Sequence, residues 1–386
     1  MNTATVVIHS ARLVTDGRST PDSWVAFAGT RVAAVGRGNG WCSLADDATV
    51  VTDARGRWLA PGFIDIHCHG GGGAAFDDGT AGIRTGLAVH RRHGTTRSII
   101  SLVTNTLPRL EESLAAIAQL AARDPLVLGS HLEGPFLDEG FRGAHNASLL
   151  RAATAPEIDR LLDAAAGSLR QITLAPELPG SAQAINRFTD SGVAVAIGHT
   201  AASHQEAVAA FDAGASILTH AFNGMRGIHH RAPGPVVAAM STAGVTLEVI
   251  NDGTHVHPEV VRMAFASAPG RVALITDAMA ATGSADGGYM LGALAVTVKA
   301  GVARLVDGGS IAGSTLTLDD AVRRAVAEVG VSLEDAIDAV TGVPARAIGR
   351  GGELGALAPG YAADAVILDD DLAVVAVWAE GAPLRS

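Results

Sequence analysis

Apolar residues along this chain recur with two periods. In its middle, short runs of β-branched and aliphatic residues alternate with longer Ala/Leu-rich stretches, in which apolar positions return every three or four residues. The short runs read as strands and the longer ones as amphipathic helices. Strands are predicted over residues 62–66, 97–103, 126–132, 172–176, 194–198, 216–219, 245–250 and 272–276, eight in all. Helical patterns fall between them, as over 106–122, 155–165, 201–213 and 258–267. Strands alternating with helices make parallel βαβ units, and eight such units close a (β/α)8 TIM-type barrel. Past the eighth strand, 291–306 reads as an inserted hairpin, and helices over 316–329 and 333–341 complete the ring.

The two chain ends follow a different rhythm. From residue 5 to about 58, short strand-like runs such as Val6-Val7-Ile8 and Trp24-Val25-Ala26-Phe27 are broken by turn signals at Asp16-Gly17 and Ala28-Gly29. Near the other end, 365–368 and 374–378 read as a hairpin around Asp369 to Asp371. Chain termini often lie close together. The expectation is therefore a small split β-sandwich domain from residues 1–58 and 350–386, flanking a barrel domain of residues 59–349.

Composition narrows the class. With 48% hydrophobic and 17% charged residues, 386 residues can bury a large core. A net charge of −11 excludes a general affinity for nucleic acid or acidic membranes, while a local cationic cluster can still bind an anion. The two cysteines, Cys42 and Cys68, make no disulfide framework, which points to a reducing compartment. No apolar run reaches membrane-spanning length and no secretory signal pattern opens the chain, so the expected location is cytoplasmic.

In such barrels the chemistry sits at the C-terminal ends of the strands, and the polar residues gather there. The first strand leads into His67-Cys68-His69; residues two apart on an extended chain face the same side, so the two imidazoles form a pair. Cys68 faces the other way and is expected to be a small buried apolar residue. The third strand ends in Glu133 and the fourth runs into Glu177. The fifth, sixth and eighth strands end in His199, His220 and Asp277, and the seventh runs into Asn251-Asp252-Gly253-Thr254-His255. Glu133, His199 and His220 form a two-His, one-carboxylate set suited to a catalytic Zn²⁺ or Fe²⁺. His131 is a candidate partner for a ligand. Glu177 reads equally well as a ligand support or a structural acid. His9, His90, His93 and His204 fall elsewhere and carry no assigned role.

These residues lie in motifs that resemble the amidohydrolase superfamily and, within it, the N-acetylglucosamine-6-phosphate deacetylase family. The motifs are the run from Pro61 to Gly70, His131-Leu132-Glu133-Gly134-Pro135-Phe136, Gly143-Ala144-His145, Gly198-His199-Thr200, Asp252-Gly253-Thr254-His255 and Thr276-Asp277-Ala278-Met279. The resemblance spans nearly the whole chain. It implies metal-dependent hydrolysis of the acetamide of N-acetyl-D-glucosamine 6-phosphate to D-glucosamine 6-phosphate and acetate, in amino-sugar catabolism. It implies one or two divalent metals per chain: Zn²⁺ first, with Fe²⁺, Mn²⁺ and Co²⁺ as alternatives. Glu133, His199 and His220 would hold the main metal, and His67 and His69 a second one bridged by Glu133. Asp277 would act as general base and then acid, and His255 would hydrogen-bond the amide carbonyl. Ala144, His145, Asn223, Gly224 and Arg231 would line the sugar-phosphate pocket, with Ile311, Ala312 and Gly313 closing around the sugar. Similar enzymes are homodimers whose phosphate pocket receives a residue from the neighbour, and Arg231 is the candidate. The chain departs from the family at Ala221 and at Gly224, where alanine is usual; Gly224 still offers its backbone N–H.

Overall fold

The computed structural model describes residues 4–384, so residues 1–3 and 385–386 of the expected end domain lie outside the description. Eight parallel strands form one sheet in chain order: Phe63–Asp65, Thr95–Val103, Val127–Glu133, Leu169–Leu174, Ala194–Ile197, Ile217–Leu218, Thr246–Ile250 and Val272–Ile275. These are called barrel strands one to eight. Strands one and eight share no ladder, and the barrel closes through backbone bonds at its two rims. At the C-terminal rim Asp277 N–H donates to the His67 carbonyl (2.9 Å) and His69 N–H to that of Ala278 (2.8 Å). At the other rim, Ile64 and Leu274 donate to the carbonyls of Val340 and Ala339. The turn after helix Leu333–Asp338 therefore plugs the gap between the first and last strands.

Each strand is buried on both faces, yet the faces differ. Leu102, Leu132, Ile172, Ile197, Leu247 and Leu274 belong to the main apolar core. Interleaved with them are Ser101, His131, Gln171, Thr173, Thr219 and Glu248, all fully buried and polar. Side chains alternate along a strand, so the polar set fills the barrel's interior. Much of it is paired there: His131 bonds Ser101 Oγ and Thr173 Oγ1 at 2.9 Å, and Thr173 bonds Thr219 at the same distance, whereas Gln171 Oε1 has no partner.

The helices follow their sequence signals. Helix Leu107–Ala121 buries Leu107, Leu110, Leu114, Ile117 and Leu120, spaced at three and four residues, and carries Pro108 in its first turn. Helix His204–Asp212 opens on a reciprocal cap between Ser203 and Glu206. It starts three residues later than expected because Glu177 holds the preceding turn: its carboxylate accepts from Thr200 Oγ1 (2.6 Å) and Ala201 N (2.5 Å). The expected helix over 316–329 is Leu318–Arg324 followed by a π-helical turn, Ala325–Val329. The insertion is a three-stranded sheet, Gly287–Leu291, Leu294–Lys299 and Val302–Leu305, rather than a hairpin.

The chain ends meet in a second, eight-stranded sheet. Strand Ala365–Leu368 runs antiparallel to both Trp58–Pro61 and Val374–Ala379. The two short runs expected at 6–8 and 11–14 are one strand, Val6–Thr15, with an irregularity where Ser10 takes a φ of 55°. Before that point the strand pairs with Val50–Asp53, and after it with Trp58–Pro61. The sheet bends there around a separate apolar core that includes Ile8, Leu13, Phe27, Leu59, Ile367 and Trp378. No helix among the described residues is long and apolar enough to cross a membrane.

Candidate active site

The C-terminal rim gathers side chains from five barrel strands into one nearly solvent-free cluster. Glu133 is its centre. Its Oε1 lies 3.1 Å from His199 Nε2, 3.0 Å from His220 Nε2 and 3.5 Å from His67 Nε2. Its Oε2 lies 3.2 Å from His69 Nε2 and 3.4 Å from His145 Nε2. Asp277 Oδ1 stands 3.5 Å from His67 Nε2 and 3.4 Å from His69 Nε2. Three of these residues hold unusual backbone: φ is 47° at His199, 25° at His220 and 46° at Asp277. Such a conformation costs a non-glycine residue about 1–2 kcal/mol, and it turns each side chain inward just past its strand.

The chemistry of this donor set fits a bound cation. His199 Nδ1 faces the carbonyl of Phe141 (2.9 Å) and His220 Nδ1 that of Asn223 (3.1 Å). A carbonyl only accepts, so both Nδ1 atoms carry the proton and both Nε2 atoms present lone pairs. Those lone pairs lie 3.0 Å apart, a repulsive arrangement unless a cation sits between them and Glu133. His67 follows the same logic: Nδ1 faces Glu248 Oε2 at 3.0 Å, leaving the lone pair of Nε2 3.1 Å from His69 Nε2. Glu133, His199 and His220 converge within 3.1 Å of one another and fit a divalent metal; His145 also reaches Glu133 and His199 as a further candidate donor, and His67, His69 and Asp277 form a second group beside them.

Titration agrees with a cation site: without a metal, His67 and His69 take protons in its place. Burial disfavours a charged imidazole, yet Glu133, Asp277 and Glu248 together outweigh it and hold His67 well above its usual range. Against the same burial penalty, His69 is pushed up to about 10 by hydrogen bonds to Asp277 and Glu133. Burial also opposes ionisation of Glu133, but His67, His145, His199 and His220 hold its carboxyl well below the usual range. The pocket is built to hold positive charge. Two histidines run opposite. His131, wholly buried and beside His67, is kept neutral, and burial pushes His145 down to about 4.

Two glycines make room for His199. Gly143 and Gly224 both have positive φ, 53° and 61°, and a Cβ on Gly224 would lie 2.9 Å from His199 Nδ1. Above the cluster is a cavity of about 220 Å³ lined by Ala144, His145, Asn223, Gly224, His255, Asp277, Ile311 and Gly313 among others. His255 is held by Asp252, whose carboxylate meets its Nδ1 at 2.7 Å.

Other sequence-nominated residues stand elsewhere. Ala312 is fully buried behind the cavity in a small core with Met279 and Leu291. Arg231 is exposed on the loop after barrel strand six and does not line the cavity of its own chain. Glu177 stands outside the metal-facing cluster and anchors the turn after His199. Cys68 is buried, 3.3 Å from His90 Nε2, and burial pushes its thiol up to about 12. Sequence reading missed Glu248, Gln171 and Asp65. Asp65 accepts from His67 N (3.2 Å) and Thr276 Oγ1 (2.6 Å), tying strand one to strand eight. The available signal was a charged residue inside an otherwise apolar strand.

The sequence profile described as the amidohydrolase family matches residues 58–384. An N-acetylgalactosamine-6-phosphate deacetylase of Escherichia coli O157:H7 is 42% identical over 335 residues, covering 86% of this chain and 89% of the relative. The human N-acetylglucosamine-6-phosphate deacetylase is 37% identical over 344 residues, covering 85% and 84%. A solved structure of a variant N-acetyl-D-glucosamine-6-phosphate deacetylase from Mycobacterium smegmatis, in complex with N-acetyl-D-glucosamine 6-phosphate, superposes with a TM-score of 0.93 at 40% identity. It covers 99% of this chain and 100% of that one.

Proposed function

The chain belongs to the amidohydrolase family, and from that premise we propose that it hydrolyses the acetamide of N-acetyl-D-glucosamine 6-phosphate, releasing acetate and D-glucosamine 6-phosphate. The observation that carries this reading is the cluster of Glu133, His67, His69, His199 and His220, with Asp277 at its edge, beneath one cavity. Glu133, His199 and His220 would hold the main metal, and His67 and His69 a second; Zn²⁺ suits this set of nitrogen and carboxylate donors. When bound, the metal supplies Lewis-acid charge that acidifies water and polarises the acetamide carbonyl.

The chain's own residues do the rest. Asp277 takes the proton of the attacking water on its carboxylate. It returns that proton to the amide nitrogen as the C–N bond breaks, so the sugar leaves as an amine and the acyl carbon as acetate. His255 lines the cavity with Nδ1 fixed on Asp252, and from Nε2 it donates to the carbonyl oxygen when both ring nitrogens carry protons. Ala144, Asn223, Gly224, Ile311 and Gly313 surround the sugar, with Ala312 supporting them. Binding the phosphate, far from the reacting bond, positions the acetamide and so raises turnover as well as affinity. Two free cysteines and the absence of a membrane-spanning helix among the described residues support a cytoplasmic enzyme.

The test is acetate release from a panel of phosphorylated and unphosphorylated N-acetylated hexosamines, run on metal-loaded protein and again after dialysis against a strong chelator. The phosphorylated glucosamine compound should turn over, its unphosphorylated form poorly, and the chelated protein not at all until Zn²⁺, Fe²⁺, Mn²⁺ or Co²⁺ is restored. A metal-loaded sample that releases acetate from no phosphosugar would refute the reading. The 42% identity to an N-acetylgalactosamine-6-phosphate deacetylase favours a second reading, the isomeric substrate. The two sugars differ in one hydroxyl's orientation, and the same panel separates them.

A further inference from the structure

Glu248 lies in the middle of barrel strand seven with no exposed surface. A buried carboxylate is expensive unless paired, because each ion loses several kcal/mol of hydration. Among the described residues it meets no lysine or arginine. Its Oε1 accepts from Gln171 Nε2 at 2.7 Å; its Oε2 meets His67 Nδ1 at 3.0 Å and His220 N at 3.4 Å. One carboxylate thus touches a residue from each of two groups of metal donors. Glu133 and Asp277 are buried nearby and likewise lack any Lys or Arg partner among the described residues. Three carboxylates thus share one dry cluster in which, among the described residues, only histidines or a bound cation can answer their charge.

The two histidines of the outer pair are not equivalent. His67 has its ring orientation and tautomer fixed by Glu248. His69 Nδ1 is buried with no hydrogen-bond partner. Where a ligand's second nitrogen is bonded to a carboxylate, its metal-facing nitrogen is both aimed and made more basic. We propose that Glu248 is a positioning residue that commits this chain to a second divalent metal. It locks His67 with Nε2 aimed at the metal-facing side, and its charge answers the proton that His67 carries without metal or the second cation that replaces that proton. The proposal rests on the metal-dependent reading of the site above, and it concerns metal binding rather than the sugar.

The test compares the full-length protein with Glu248→Gln, which keeps the shape and the contact with Gln171 but removes the charge. Zn²⁺ content after saturation and gel filtration, and Zn²⁺ affinities from chelator competition, are read without substrate. Wild type should hold two metals per chain. In Glu248→Gln the tighter metal should stay within a fewfold of wild type and the weaker one should lose about 10–100-fold in affinity. The metal-free variant should stay folded but melt somewhat below metal-free wild type, since His67 loses its buried carboxylate partner. Co²⁺ loading gives an independent view: the second equivalent's visible absorption should change while the first equivalent's is kept.

Three results would overturn the proposal. They are a wild type that saturates at one metal, a variant with an unchanged second affinity, and a variant in which both affinities fall together. None of these depends on acetate release, so the deacetylase reading stands or falls separately.

Discussion

At the scale of single residues, the site spends conformational strain to aim its side chains. His199, His220 and Asp277 all sit at positive φ immediately after strands, and non-glycine residues held this way cluster at functional sites. Asparagine tolerates this backbone better than most residues, so Asp277→Asn removes the proton acceptor without forcing the loop to move. The variant should keep its main metal, held by Glu133, His199 and His220, while kcat falls by about 10²–10⁴, the usual worth of a positioned acid–base group. An Asn variant with near-native kcat would contradict the role given to Asp277. Residues such as His67, His69, Glu133, His199 and His220 were legible because each ends or follows an apolar run, where a barrel must place its chemistry. Glu248 and Gln171 were not. A polar residue alternating with apolar ones reads as the solvent face of a strand, but here that face is the barrel's interior and is just as dry.

At the scale of elements, the helices were legible from their periods and caps, and the joints between them were not. The ring of helices closes where the first meets the helix that follows barrel strand eight. His93, at the end of helix Thr80–Arg92, bonds Asp319 through Nδ1 at 2.9 Å, and Asp319 sits in the first turn of helix Leu318–Arg324. Asp319 also accepts from Thr317 Oγ1 (2.5 Å) and Asp320 N (2.9 Å). Burial opposes ionisation of Asp319, but His93 and Thr317 outweigh it and hold the carboxyl below its usual 3.8. A carboxyl whose pKa falls on folding adds stability above its unfolded value, and that stability disappears as the pH drops through the folded one. Asp319→Asn should therefore cost about 1.5–3 kcal/mol near pH 6, as for hydrogen bonds to a charged group. The gap between variant and wild type should close as urea melts are repeated below pH 4. A gap that is constant with pH would mean that Asp319 acts through shape alone. No sequence rule pairs residues 93 and 319, because their contact exists only once the barrel closes.

At the scale of the whole molecule, the end sheet is fastened to the barrel by charge as well as by packing. Arg97, at the start of barrel strand two, reaches Asp364 through Nε (2.6 Å) and Nη2 (3.2 Å), the Pro125 carbonyl (2.6 Å) and Glu380. Arg97→Ala leaves Asp364 buried and unpaired and should cost about 3–5 kcal/mol in urea unfolding, whereas Arg97→Met with Asp364→Leu should recover much of it. The active site presents the reverse situation, a charge that its own chain does not answer. Among the described residues its cavity is lined by no lysine or arginine, yet a phosphosugar brings a phosphate whose natural partner is a guanidinium fork. Arg226, His229, His230 and Arg231 lie exposed on the loop after barrel strand six, a cationic cluster in a protein of net charge −11. A homodimer that passes Arg231 into the neighbour's cavity would complete the site. Arg231→Ala should then lower kcat/KM for the phosphorylated sugar by about 10–10², equivalent to the 1.5–3 kcal/mol of a charged hydrogen bond. The already slow rate on the unphosphorylated sugar should hardly change. Mixing chains inactivated by Arg231→Ala with chains inactivated by Asp277→Asn should restore activity, because a mixed dimer contains one site with both residues intact. If subunits exchange and no activity returns, the arginine serves its own chain; if both substrates lose equally, it holds the loop and does not read the phosphate.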